Sequence, residues 1–497
     1  MEPYDAAVRA DEFATSRNLF DLLIAELAAP AADELTHAGL EELCERRGRA
    51  VLRQLLQDHL DLRALREEAR LSADHPAGRL ERGHHRLLAT VVGTVTVRRC
   101  AIRTPGARNR YLADEQLALP AGRHSHGLAK LAVVEAVRGS FDAAHAAITD
   151  RCGPVIGKRQ IADLVVTAAA DVEAFYAART PTPRTAEELL VLGLDGKGVV
   201  MRPEGLRPAS RKAAAAHRRR FRTRLASGEK PHRKRMATLA AVHDAVPAPR
   251  RPHDVISLTG RSGERPVRKG PTASGKWVYG SVIEPACTVI ARAFDQAQAR
   301  DPVHTRPWVV LVDGDLHQIA LVREQAARRG VAVHIVCDLI HVIEYCWRGA
   351  RCLHTADDPA AEQRVAAWAL GLLAGNTGQV IDDMKTQAAT LPADRRDGLT
   401  AAIRYLSGHR EFLCYDHALE QGWPIATGVI EGTARHLVGD RLEITGARWG
   451  LAGADAVLKL RAIISNGDLD AYFAYHLDRE QYRLRQARHQ DRYALTT

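Results

Sequence analysis

The 497 residues are long for one hydrophobic core and imply about two to four domains. With 46% apolar and 26% charged residues, the chain has the make-up of a folded globular protein and not of a disordered one. No apolar run approaches the ~18 residues of a membrane span, and the eight cysteines form no Cys-x-x-Cys pair. A cytoplasmic protein with reduced thiols, no membrane partner, no zinc ribbon and no disulfide framework is therefore expected.

The net charge of +10 is unevenly spread. Between Arg202 and Arg235 stand thirteen Lys and Arg against Glu204 and Glu229, a local net of +11 that accounts for the whole excess. Such a block attracts a polyanion through phosphate contacts and counterion release, although basic runs also occur as solvated helix faces. It follows Asp195 directly, which favours nucleic acid, with Arg218, Arg219, Arg220, Arg222 and Arg235 as candidate contacts.

Residues 13–72 carry apolar positions at helical spacing (Leu19, Leu22, Leu23, Leu27; then Val51, Leu52, Leu55, Leu56, Leu60), broken at Pro30, and predict two or three amphipathic helices. From Leu87 to Leu112 the pattern alternates: Val91, Val92, Val95 and Val97 surround Gly93, and a Thr104-Pro105-Gly106 turn precedes Tyr111. A β-hairpin or small sheet is expected there.

Residues 126–178 return to helical spacing, with the layout of a helix-turn-helix in the middle. Ser140 would cap a helix through Thr149, Cys152-Gly153-Pro154 breaks it, and Gly157-Lys158-Arg159-Gln160 opens a second helix to about Tyr176. Lys158, Arg159 and Gln160 suit major-groove reading, while helix-glycine-helix corners are also common in any α-rich protein.

Thr180-Pro181-Thr182-Pro183 is a stiff linker. Beyond it, apolar runs at Leu189–Leu194, Met236–Val246, Trp277–Ile283, Trp308–Val312 and Val331–Val336 predict five strands. Helices are expected at Pro285–Ala299 and His317–Arg329. Three strands, helix, strand, helix, strand is the ribonuclease H-like order: three antiparallel strands, then two parallel ones added through helical crossovers. From His341 to Gly422 only helical patterns remain, and after Trp423-Pro424 comes a helix with Glu431 near its start.

Two of the strands reach Asp-Gly, at Asp195-Gly196 and at Asp313-Gly314. Either Asp-Gly alone is as well read as a turn. Together with Glu431 they form three carboxylates in the positions this topology offers. Phosphodiester chemistry needs charge neutralisation more than covalent help, and two Mg²⁺ roughly 4 Å apart supply it from hard oxygen ligands. Asp195, Asp313 and Glu431 are the candidate catalytic and metal-binding residues, for two Mg²⁺ ions that Mn²⁺ could replace.

At this point the chain resembles a known group, the bacterial insertion-sequence transposases with a DDE triad on a ribonuclease H-like fold, and within them the ISKra-type family. The resemblance is carried by Leu194-Asp195-Gly196-Lys197-Gly198 with Met201-Arg202-Pro203-Glu204, by Val312-Asp313-Gly314 with His317-Gln318, and by Asp338-Leu339-Ile340-His341-Val342-Ile343-Glu344-Tyr345. To these is added the block Gly422–Gly432 through Thr445-Gly446-Ala447-Arg448-Trp449-Gly450. It spans roughly residues 88 to 480. Asp338 and His341 match an Asp-x-x-His element, which implies a role for His341 near the active site; a structural hydrogen-bonding role fits equally. Arg435 reads as an i,i+4 ion-pair partner of Glu431 or as a DNA contact. Arg441, Arg448, Lys459 and Arg461 are expected to meet DNA ends, and Trp449 either stacks on a base or is buried.

The expected architecture is multidomain α+β: an N-terminal helical region (1–86), a β-hairpin plus helix-turn-helix-like DNA-binding region (87–180), a ribonuclease H-like catalytic core (185–341, with a basic insertion at 202–275), a helical insertion (342–422), a C-terminal catalytic helix region (423–480) and a tail (481–497). The resemblance implies a nucleoid-associated enzyme that binds terminal inverted repeats and carries out Mg²⁺-dependent strand cleavage and strand transfer, as a homodimer or higher oligomer on DNA. A structure-specific nuclease of the same fold and a domesticated, non-catalytic DNA-binding protein are the alternatives.

Overall fold

Leu189–Leu194 and Trp308–Val312 are apolar without alternation, the pattern of strands covered on both faces, and both lie buried in the middle of one sheet. The computed structural model describes residues 12–74, 79–103, 109–179, 187–216, 234–256, 266–355, 357–444 and 446–493, and divides them into two units. It is a mixed α+β protein whose described residues form one three-stranded and one five-stranded sheet. No helix among the described residues is long and apolar enough to cross a membrane.

The first unit comprises the described residues of 1–175 and 469–497. Helices α1 (Ala14–Ala28) and α2 (His37–Asp74) are tied by Ser16, whose N–H donates to Asp58 at 3.1 Å, and by the Arg47–Glu26 ion pair at 2.8 Å. Helix α2 lies against an antiparallel sheet of β1 (Leu80–Thr90), β2 (Gly93–Ile102) and β3 (Arg110–Tyr111), where Leu60 joins Leu88, Val95 and Val97 in a buried cluster. The expected boundary at 86/87 falls inside β1, because Glu81–Arg86 is a polar stretch that shows no apolar alternation and pairs as strand only through β2. The expected Thr104-Pro105-Gly106 turn and the 180–183 linker lie outside the described residues.

Helices α3 (His126–Arg138), α4 (Phe141–Cys152) and α5 (Lys158–Ala168) follow. Ser140 caps α4 through the Ala143 N–H at 3.0 Å, and Gly153 ends it at φ +78°, a left-handed turn that favours glycine. Helix α5 stops at Ala168, eight residues short of the expected Tyr176, and a separate helix resumes at Val172. The C-terminal helix Leu469–Tyr493 also belongs to this unit, so the 480/481 boundary falls within it. Asp171 binds that helix through His476 (2.6 Å) and Arg483 (2.7 Å).

The second unit, Tyr176–Asp468, is built on a sheet of order β6-β5-β4-β7-β8. Strands β4 (Leu189–Val200), β5 (Lys234–Ala245) and β6 (Ala273–Ser281) run antiparallel; β7 (Trp308–Val312) and β8 (Val333–Cys337) join β4 in parallel. Parallel neighbours need crossovers, supplied by α6 (Ala286–Arg300) and α7 (Leu316–Arg329). From α8 (Leu339–Leu353) through α9 (Pro359–Leu373), α10 (Thr377–Ala389), α11 (Asp397–Gly408) and α12 (Tyr415–Glu420) the described residues are helices and turns. Then come the short α13 (Gly428–Ala434), a π turn at Arg435–Gly439, and α14 (Leu451–Ser465).

Helices α13 and α14 cover one face of the sheet. A Cβ placed on Gly193 would meet Ile430 of α13 at 3.1 Å, and one on Gly280 would press on Leu239 and on Leu458 of α14. A side chain at Gly193 would therefore press on α13.

Candidate active site

Asp195 sits inside β4, where it pairs with Leu239 of β5, and the strand continues through Asp195-Gly196 to Val200. The turn that Asp-Gly can mark is therefore not made here. Side chains alternate along a strand, so Asp195 shares the face of Gly193, the face that α13 covers. On the parallel neighbour, Leu311 pairs with Gly193, and Asp313 follows two residues later on the same face, just past the end of β7. Glu431 lies on α13 itself, next to the Ile430 that packs on Gly193. The sheet and one short helix thus bring the three candidate carboxylates to one edge of one face.

Their electrostatics reflect that proximity. The Asp195 carboxyl is pushed above its ordinary range, first by burial and then by the charges of Asp313 and Asp338, although the Gly196 N–H bonds to it at 2.6 Å. Glu431 is pushed up by partial desolvation and then by Asp338, Asp195 and Glu344. Like charges close together disfavour ionisation of each, and a cation among them would reverse that. Among the described residues, no three His, Cys, Asp or Glu side chains close on a single point as one ion would require.

The tips of both parallel strands are held by the helical segment between β8 and α13. Tyr405 Oη donates to the Asp313 carbonyl at 2.9 Å, Tyr415 Oη donates to the Cys337 carbonyl at 2.8 Å, and the His409 ring meets the Gly314 carbonyl at 2.7 Å. Gly314 has φ +98°, and an added Cβ would collide with the Tyr405 hydroxyl, so both conformation and space require glycine. Sequence reasoning passed over Tyr405, His409 and Tyr415. Their trace is a cluster of rings, Tyr405, His409, Phe412 and Tyr415, within eleven residues in a chain with 5% Phe, Trp and Tyr.

Around the carboxylates, Asp313 Oδ1 accepts the Asp315 N–H at 2.9 Å, and Asp315 caps α7 through the N–H groups of His317 and Gln318. Gln318 lies buried beside Gly196 with its Oε1 lacking a partner among the described residues. His341, half-buried on the first turn of α8, meets Tyr345 and Tyr405 edge-on and lies 3.5 Å from Glu344.

The basic candidates separate into exposed and committed groups. Arg159, Arg435 and Arg448 are exposed, as are Arg202, Arg207, Arg211 and Lys212 of the basic block. Lys158 pairs with Asp142 at 2.5 Å, and the Gln160 amide oxygen accepts the Gly157 N–H at 2.9 Å, which commits it to starting α5. Arg235 turns inward, donating to the Val282 carbonyl at 2.7 Å. Arg218, Arg219, Arg220 and Arg222 lie outside the described residues.

Three of the cations expected at DNA ends are used within the fold. Arg441 is buried over the Trp449 ring, Lys459 pairs with Asp455 at 2.6 Å, and Arg461 donates to the His436 carbonyl at 2.8 Å. Trp449 is buried, with its indole N–H donating to the Leu442 carbonyl at 3.0 Å and its backbone N–H to Val200 at 3.2 Å. A charge or an aromatic ring in the sequence does not say which way it faces, and here burial won. In comparisons with known proteins, no family model and no curated protein matches this chain.

Proposed function

We propose that the chain is a DDE transposase of a bacterial insertion sequence, of the ISKra type, with a ribonuclease H-like catalytic core. The observation that carries the reading is the placement of Asp195 and Asp313 on one face of adjacent parallel strands, beneath the helix that carries Glu431. The strand order β6-β5-β4-β7-β8, with three antiparallel strands extended by two parallel ones, supports the same fold.

The all-oxygen donor set suits a hard divalent cation, and burial together with the neighbouring carboxylates raises the Asp195 and Glu431 carboxyls. Asp195, Asp313 and Glu431 would hold Mg²⁺, or Mn²⁺ in its place. Bound there, the metal supplies charge neutralisation for a phosphodiester under attack. The protein's own part is orientation: β4 fixes Asp195, Tyr405 and His409 fix the peptides of Asp313 and Gly314, and α13 delivers Glu431. Exposed Arg202, Arg207, Arg211 and Lys212 lie just beyond β4 and offer charge to a DNA backbone. The substrates are the terminal inverted repeats and a target duplex, and joining two ends calls for at least a dimer on DNA.

The test is a cleavage and joining assay on DNA carrying the repeats that flank the gene, with Asp195→Asn, Asp313→Asn and Glu431→Gln. Each variant should bind the ends like the unaltered chain and lose both reactions by on the order of a hundredfold or more. Cleavage without joining would make the protein a nuclease, and end binding with no metal-dependent reaction in the unaltered chain would make it a binding protein only.

A further inference from the structure

Two aspartates cap helices beside this site, and they do so differently. Asp315 is exposed and serves its own helix, with one oxygen taking the N–H groups of His317 and Gln318. Asp338 is 3% exposed. One of its oxygens takes the Ile340 N–H of its own helix at 3.0 Å and the Thr427 N–H at 3.3 Å; the other takes the Thr427 hydroxyl at 2.5 Å. Its backbone N–H donates to the carbonyl of Val312, the residue before Asp313, at 2.8 Å. Next to it, the Leu339 N–H donates to the Ile425 carbonyl at 2.9 Å.

Thr427 is the N-cap of α13. Its hydroxyl makes no capping bond to that helix, because it is given to Asp338. The helical run that α13 opens continues through the π turn only as far as Leu442, a length still marginal in water by itself, so its start stands where its contacts put it. Among those contacts are Ile430 against Gly193 and Thr427 against Asp338.

Resting on the reading of the carboxylates as a metal site, we infer that Asp338 is a positioning residue: it joins the end of β7, which Asp313 follows, to the N-cap of the helix that carries Glu431, and so fixes the second and third carboxylates relative to each other. A cap that served α8 alone would need one oxygen and no burial.

The experiment uses the full chain without DNA and Mn²⁺ alone as the probe. Asp338→Ala risks misfolding, so the informative variant is Thr427→Val, which keeps shape and removes the hydroxyl; Thr427→Ser restores it. Thr427→Val is expected to unfold within a few degrees of the unaltered chain, to bind Mn²⁺ on the order of tenfold more weakly, and to exchange the amide hydrogens of Val429–Glu431 faster; Thr427→Ser should return both readouts to normal. Thr427→Val with unchanged Mn²⁺ affinity and unchanged exchange overturns the inference while leaving the metal reading intact. If the unaltered chain shows no Mn²⁺ binding that Asp313→Asn abolishes, the metal reading falls and the inference falls with it.

Discussion

The hydroxyl of Tyr405 donates to the carbonyl oxygen of Asp313 at 2.9 Å, so a helix lying between the second and third candidate carboxylates in sequence holds the peptide that bears the second. Tyr405→Phe keeps the stack on Tyr345, whose ring centroid is 4.0 Å away, and leaves the Asp313 carbonyl without that donor. Urea unfolding should register a loss of about 1–2 kcal/mol. Gly314→Ala adds both left-handed strain and a collision with the same hydroxyl, and should cost more, about 2–4 kcal/mol. A Gly314→Ala variant as stable as the unaltered chain would show that the Asp313 loop is not held as described.

A second expectation concerns pH. Asp195 has its carboxyl raised in the folded chain, so it ionises there later than in the unfolded chain. It therefore lowers stability at neutral pH, and that penalty fades as pH falls through the raised value toward the ordinary carboxylate range. Metal-free Asp195→Asn should be more stable than the unaltered chain at pH 7, by a margin that shrinks toward pH 4. Mg²⁺ should narrow the margin at pH 7, because it stabilises only the chain that keeps the carboxylate. A variant less stable than the parent at pH 7 without metal would contradict this.

His243 sets an opposite trend. Burial, and then the charge of Lys276, hold its ring down to about 4, against an ordinary 6.5. Below pH 6.5 the unfolded chain takes a proton that the folded chain refuses, so stability declines from about 6.5 to about 4, by at most about 3 kcal/mol for this group. Nδ1 of His243 has no partner among the described residues, so His243→Leu forfeits no bond there. The variant's stability should vary less between pH 6.5 and 4.5 than the parent's, and equal slopes would rule the ring out as the acid-sensitive group.

The basic block predicts two behaviours from similar residues. Replacing exposed Arg202, Arg207, Arg211 and Lys212 by alanine should weaken binding to any duplex and flatten its salt dependence, by about 0.9 in the log–log slope for each phosphate left unneutralised. Arg235→Ala should leave the salt slope unchanged and lower stability, since its guanidinium spans to the Val282 carbonyl. Fluorescence anisotropy across a salt series, alongside thermal unfolding, separates the two.

Strands β4 and β7 were legible because strands covered on both faces must be apolar throughout, and the helix start at Ser140 because a cap needs a side-chain acceptor; the cap at Asp315, two residues ahead of the expected helix start at His317, was not read. Half of β1 was not, since Glu81–Arg86 gains its strand conformation from pairing with β2 and not from its own pattern. At the site, the alternation that sets Asp195 on the face of Gly193 can be read from the sequence. The Asp338–Thr427 bonds join residues 89 apart, and the direction of Arg235, Arg441 and Lys459 depends on which acceptors the fold brings near them. Separations of that kind leave no periodic signal.

The π turn at Arg435–Gly439, directly after the helix of Glu431, inserts one residue beyond the α-helical count. One residue is about 100° of helix rotation at 3.6 residues per turn. Deleting a residue there would let the helix run on regularly, but it would swing Arg441 off the Trp449 ring or turn Glu431 away from the face it shares with Asp195. The turn therefore acts as a phase adjuster: upstream of it the helix is registered to the carboxylates, downstream to the tryptophan that anchors the end of β4, and a single extra residue reconciles the two.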